Sequence, residues 1–282
     1  MTLLKGFAKI NLSLQIVGKR ADNYHELDSI MQSVSLYDEI SVEKREFGIE
    51  LSCDNHSIPI NDKNIAYKAA LVFFDKTKLL PGAKITIKKH IPIAAGLAGG
   101  SADAAATLVG LNDLFKAGLS ESDLMMLGAE VGSDVPFCLI GGTCRCRGRG
   151  ELVEKIQNSN IKIPTWYIIV KPEFDVSTKW VYENFDERWI KDKNFVAPFE
   201  LSSSISLIND LEKVVLPKYP EVSKIKKRLV DLGCLGSQMS GSGPSVFGLA
   251  PDQKTAIKVF DEMKKQYAQT FLVEPTKSGV SS

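Results

Sequence analysis

The chain holds only three histidines and three tryptophans, and its five cysteines are odd in number. Cys53, Cys138, Cys144, Cys146 and Cys234 form no CxxC pair, so no disulfide framework is indicated, and reduced thiols of a cytoplasmic protein are expected. Cys144 and Cys146 stand one residue apart in a period-2 stretch and share a strand face, but no histidine is near them in sequence, which argues against zinc. No run of about 18 apolar residues is present, so a membrane-spanning helix is not expected. Met1 to Ile10 carries two lysines and is too short and polar for a signal peptide. Neither sign of charge dominates: 35 basic against 34 acidic residues leave a net charge of +1. Such a chain has no global field for nucleic acid or an anionic membrane, and any anionic ligand must be held by local groups. Repeats and low-complexity tracts are absent, and no pattern reveals an oligomeric state.

What is present is a mixed pattern on 282 residues, enough for one large domain or two modest ones. Residues 9–16 alternate strictly and predict a half-buried strand, with Ile10, Leu12, Leu14 and Ile16 inward and Lys9, Asn11, Ser13 and Gln15 on the other face. A second alternation runs from Ile30 to Ile40, and Glu50 to Pro59 reads as loop. Helical spacing covers Asn64 to Lys78, and residues 83–89 form a short strand. Ser120 with Asp123 is a capping box for a helix to about Val131, with Gly132 as its terminator. Past a weak boundary at 155–164, Thr165 to Lys171 reads as a buried strand. Helical stretches follow at Ser177 to Phe185, Leu201 to Leu211, Pro220 to Leu232 and Asp252 to Tyr267, and Phe271 to Glu274 reads as the closing strand. Without regular βαβ spacing the fold class is α+β in two lobes, 1–158 and 159–282.

The strongest chemical signal is Pro92-Ile93-Ala94-Ala95-Gly96-Leu97-Ala98-Gly99-Gly100-Ser101-Ala102 after the 83–89 strand. Residues without Cβ let a backbone approach a ligand closely, and Ser101 is a suitable N-cap for a helix ending near Asn112. Free N–H groups and the positive helix end would then face a phosphate. The loop is not a P-loop, because Gly100 stands where the lysine would be, and not GxGxxG, because Ala98 takes the second glycine position. A plain packing turn is the alternative, and the loop alone does not tell ATP from another phosphate ligand.

Two further segments are informative only in combination. Asp134, between Ser133 and Val135 on a helix-to-strand turn, is a candidate general base or a turn-capping carboxylate. Gly241-Ser242-Gly243 is an anion nest or a hairpin turn. Arg145, Arg147 and Arg149 have period-2 spacing and read as one solvated or ion-paired strand face.

In this order the three segments resemble the motifs of the GHMP small-molecule kinase superfamily, with Pro92, Gly96-Leu97 and Gly100-Ser101-Ala102 matching its glycine loop. Ala8-Lys9-Ile10-Asn11-Leu12, then Tyr24-His25, and Gly132 to Phe137 are similar to the members that act on a cytidine-diphosphate-linked methylerythritol. The resemblance implies a lobe related to ribosomal protein S5 domain 2, a ferredoxin-like lobe, and ATP-dependent phosphorylation of that substrate's 2-hydroxyl. It implies Lys9 and Asp134 as catalytic residues, residues 92–102 around the triphosphate, and Asn64 at the adenine. Asn11, Tyr24, His25, Gly241, Ser242 and Gly243 would serve the substrate. Mg2+ is expected with ATP, with no ligand set assigned. Another GHMP kinase, for mevalonate, homoserine or a sugar, and a silent nucleotide sensor stay open as alternatives.

Overall fold

A computed structural model describes residues 1–80, 82–156, 165–190 and 207–282. The alternation near the N-terminus belongs to an 18-residue strand, β1 (Thr2–Lys19), which turns back into the 20-residue β2 (His25–Lys44). Then come β3 (Gly48–Cys53), helix α1 (Ile65–Thr77), β4 (Gly82–Lys88) and α2 (Gly99–Phe115). The Asn64 side chain caps α1 by accepting from Ala66 N. Helix α3 (Glu121–Val131) starts on the expected box, with Ser120 and Asp123 satisfying each other's backbone N–H. It is followed by α4 (Val135–Ile140), β5 (Thr143–Gly148) and β6 (Leu152–Lys155).

The second lobe runs β7 (Trp166–Lys171), α5 (Thr178–Glu183), β8 (Ile208–Asn209), α6 (Glu212–Lys218), α7 (Pro220–Asp231), β9 (Gly236–Met239), β10 (Val246–Ala250), α8 (Gln253–Lys264) and β11 (Gln269–Val273), and β12 (Val280–Ser281) closes the order. Its sheet has the order β11-β7-β10-β9, and with α7 and α8 as crossovers this is the βαββαβ arrangement of a ferredoxin-like lobe. The first sheet runs β12-β1-β2-β4-β3, with β5 and β6 continuing from β2 and β8 parallel to β1. The α+β, two-lobed class is as expected. The expected division at 158/159 lies outside the described residues; β8 and β12 come from the second half of the chain yet join the first sheet.

Two apolar clusters hold the molecule. Ile10 and Leu12 join one with α1, α2 and α4, while Leu14 and Ile16 join the other with α7 and α8, so β1 threads both. The second sheet also faces both ways. Tyr167, Ile169, Phe247 and Leu249 pack into the first cluster, and Ile168, Val170 and Val246 into the second. Each such large side chain contributes about 1.5–3 kcal/mol by burial.

Several expectations are corrected. β1 is not half-buried: Lys9, Asn11, Ser13 and Gln15 are all within 3% exposure, because the glycine loop and the second lobe cover that face. Part of the loop expected at Glu50 to Pro59 is β3, an edge strand paired parallel to β4. Helix α2 runs on to Phe115, because Lys116 in the left-handed region, not Asn112, ends it. Gly132 ends α3 in extended backbone at φ −175°, so no left-handed turn is involved. Asp134 lies on a helix-to-helix turn, since Pro136 opens α4 where a strand was expected. Ile208–Asn209 pairs with β1 instead of being helical, and 201–206 lies outside the described residues. β11 is not the closing strand, because β12 follows on the edge of β1. The cysteine pair is as read: Cys144 and Cys146 are both fully buried on β5.

Candidate active site

Where the glycine loop, β1 and the β9–β10 turn meet, a cleft of about 1150 Å³ opens. Every residue proposed from the sequence lines it except Ala102 and Gly243. Ala102 is fully buried, with its backbone oxygen against Gly6 of β1, and Gly243 turns toward Met239.

The loop is built differently from the expectation. Ala94 (φ 50°), Gly96 (φ 72°) and Ala98 (φ 57°) all take left-handed backbone, and Ala98 occupies the cap position of α2. Ser101 is therefore the third helical residue and not the N-cap, because the chain turns into the helix at Ala98. The first turn leaves the N–H groups of Gly99, Gly100 and Ser101 without intrahelical acceptors, aimed at the cleft. Gly96 is required by contact: a Cβ there would overlap the Ser240 carbonyl oxygen and stand 3.1 Å from Gly243 N.

Lys9 is the centre of the site. Its ammonium donates to Asn11 Oδ1 at 2.6 Å and to the Gly96 carbonyl at 3.0 Å, and lies 3.8 Å from Asp134 Oδ2. Two of its three donor directions are thus fixed, and the third faces Asp134. Lys9 is buried while the Asp134 side chain keeps 29% exposure, so the carboxylate is the accessible half of the pair. Asn11 is oriented in turn by donating to Ser29 Oγ, which donates to the Ser13 carbonyl at 2.5 Å. The Ser240 hydroxyl also donates to Gly96 O, Asn209 Nδ2 donates to Gly241 O, and Ser242 Oγ meets Thr178 Oγ1 at 2.8 Å. Burial first, and then the Asp134 charge, pushes the Cys138 thiol well up, so it is no competing nucleophile.

At the other end, His25 is buried with its ring 5.5 Å from Tyr182, tilted by 30°, and edge-on to Phe185 at 5.8 Å. Burial and the Asp134 charge push the Tyr182 phenol well up, so it stays protonated. Tyr24 is exposed, with the Arg149 guanidinium 5.0 Å over its ring. Arg145 pairs with Asp28 and Arg147 with Glu154, the ion-paired face that was read; Arg149 lies past the end of β5 and lines the cleft. Asn64 lines the cleft, but both ends of its amide are used, for Ala66 N and the Pro59 carbonyl.

Sequence reasoning missed Tyr182, Phe185 and Ser29, which carry no motif. It also missed a buried ionic group at the loop's base. Lys89 pairs with Asp38 and, at 2.8 Å, with Asp103, and all three are within 6% exposure. Asp38 Oδ1 also accepts from His90 N at 2.6 Å and Ile91 N at 2.8 Å. Burial first of all holds the Asp103 carboxyl well above the ordinary carboxylate range, and its Oδ1 has no partner. Among the described residues no group of three His, Cys, Asp or Glu could hold a metal ion, and no helix is long and apolar enough to cross a membrane.

Known proteins have the same organisation. The GHMP kinases N terminal domain matches residues 64–142 and the GHMP kinases C terminal domain residues 193–269. The 4-diphosphocytidyl-2-C-methyl-D-erythritol kinase of Clostridium acetobutylicum is 43% identical, over 95% of this chain and 98% of its own. The protein of that name from Acetivibrio thermocellus is 44% identical, over 96% and 98%. The crystal structure of a 4-(cytidine 5'-diphospho)-2C-methyl-D-erythritol kinase superposes with a TM-score of 0.83 at 29% identity, covering 97% of this chain and 99% of the other. The chain belongs to the GHMP kinases and groups there with the 4-diphosphocytidyl-2-C-methyl-D-erythritol kinases.

Proposed function

We propose that the protein transfers the γ-phosphoryl group of ATP to the 2-hydroxyl of 4-diphosphocytidyl-2-C-methyl-D-erythritol, a step of cytoplasmic non-mevalonate isoprenoid synthesis. The observation that carries the reading is the 3.8 Å pairing of Lys9 with Asp134 beside the glycine loop, with the aromatic group of His25, Tyr182 and Phe185 lining the same cleft.

The chemistry follows from placement. The N–H groups of Gly99, Gly100 and Ser101 hold phosphate oxygens at the positive end of α2. Asp134 accepts the hydroxyl proton as the new O–P bond forms, and ADP leaves as the bond to the γ-phosphorus breaks. Lys9, 3.8 Å from Asp134 Oδ2, sets its positive charge beside the carboxylate and the transferring group. His25 and Tyr24 recognise the cytidine end; Asn209 holds the 241–243 turn at Gly241 O, and Ser240 at its start shares the Gly96 carbonyl with Lys9. Asn64 shapes the adenine wall by fixing the Pro59 backbone.

Ser101 and Asp134 are oxygen donors at the cleft, which suits Mg2+ arriving on the nucleotide phosphates instead of a resident ion. When bound there it would neutralise phosphate charge. The test is ADP release with the cytidylyl substrate beside mevalonate, homoserine and galactose. Turnover confined to the cytidylyl substrate is expected, and preference for any other acceptor sinks the assignment.

A further inference from the structure

Lys9 and Asp134 lie 125 positions apart and hydrogen-bond to each other through nothing. Their separation must be set by whatever fixes β1 against α4. Beside the shared core with α2, the segment 274–281 links the two directly. Pairing of β2 with β5 ends at Gln32, and pairing with β4 begins at Glu39. The segment occupies the interval: Ser35 N donates to Glu274 O at 2.8 Å, Thr276 N to Ser33 O at 2.9 Å, and Gln32 Nε2 to Thr276 O at 3.2 Å. It then crosses to β1, where Lys5 and Gly6 pair with Ser281 and Val280.

On the way it touches both halves of the pair's support at one residue. Gly279 O accepts from Phe7 N at 2.9 Å, beside the register shift that separates Phe7 from Lys9. A Cβ on Gly279 would overlap the Cys138 carbonyl oxygen, 2.5 Å from the carbonyl carbon and 3.1 Å from Gly141 N. Cys138 N in turn donates to Asp134 O at 3.0 Å, so Cys138 stands one helical turn along α4 from Asp134. One backbone unit therefore bonds to the strand of Lys9 and rests against the helix of Asp134.

We propose that Gly279 is a positioning residue for phosphoryl transfer, acting through α4 to set the Lys9–Asp134 separation. The proposal rests on the catalytic reading of that pair. Any side chain at 279 pushes α4 from β1, and a misplacement of about 1 Å at reacting groups can cost on the order of 10²-fold in rate.

The experiment is a double-mutant cycle on the full chain with Gly279→Ala, Asp134→Asn and both, read as kcat and the two KM values. Expected is a fall in kcat of about 10–100-fold for Gly279→Ala, both KM values within about twofold, and no further loss when it is added to Asp134→Asn. Multiplying losses in the double variant, or an unchanged kcat in a folded Gly279→Ala, overturns the proposal. Should Gly279→Ala fail to fold, Gln32→Ala, which frees Thr276 O together with the Ser33 carbonyl and the Thr143 hydroxyl and adds no bulk, takes its place in the cycle. It should lower kcat with unchanged KM values and lose nothing more in Asp134→Asn; an unchanged kcat or additive losses there overturn the proposal too. Wild-type kcat in Asp134→Asn alone instead refutes the catalytic reading.

Discussion

Gly96 and Ser240, 144 positions apart, touch so closely that the glycine's carbonyl accepts the serine hydroxyl at 3.0 Å while its α-carbon has no room for a methyl group. The same carbonyl accepts from Lys9. One peptide unit thus ties the glycine loop, the β9–β10 turn and Lys9 together. Gly96→Ala adds both left-handed strain and overlap with backbone. It should lower the unfolding free energy by about 2 kcal/mol or more in urea titration. A change within about 0.5 kcal/mol would show that the loop relaxes freely.

Asp134→Asn keeps the size of the side chain and removes its capacity to take a proton. With Lys9 still anchored by Asn11 and Gly96, the loop should remain intact. We expect kcat to fall by about 10²–10⁴-fold with ATP affinity largely kept. Steady-state kinetics and nucleotide titration check the two halves separately.

His25 is packed between Tyr182 and Phe185 at the end of the cleft away from the loop. His25→Ala should raise KM for the cytidylyl substrate far more than KM for ATP. Equal rises in both would remove the base-recognition role.

Lys89 pairs with both Asp38 and Asp103. Lys89→Met leaves those buried carboxylates unpaired and should cost about 3–5 kcal/mol, measured by urea unfolding. The pH dependence has a definite sign. Asp103 keeps its proton in the folded protein over a range where the unfolded chain releases it, so stability declines as pH rises through that range. In Asp103→Asn the decline should flatten, and an unaltered slope assigns it to another group.

The legible parts of this site were local. Strict alternation put Lys9 and Asn11 on one strand face, and the Cβ-poor run marked the loop before any ligand was considered. Residue type points to Ser101 as the cap, whereas the cap position falls to Ala98 in left-handed backbone, a conformation alanine does not advertise. Tyr182 and Phe185 look like ordinary helix aromatics, and only folding brings them to His25. The contacts of Lys89 with Asp38 and of Gly279 with Phe7 span distances that no local pattern encodes. β3 escaped notice because an edge strand needs only a short, half-covered alternation.

β1 gives Ile10 and Leu12 to one apolar cluster and Leu14 and Ile16 to the other. Neither lobe can keep its core if the other is removed, so the two should melt together in a single calorimetric transition. The same sharing limits inheritance. A crossover that exchanged second lobes between kinases at the chain's midpoint would deliver a partner cut to fit a different first strand. New acceptor specificities are more readily reached by altering the side chains around the cleft than by trading halves.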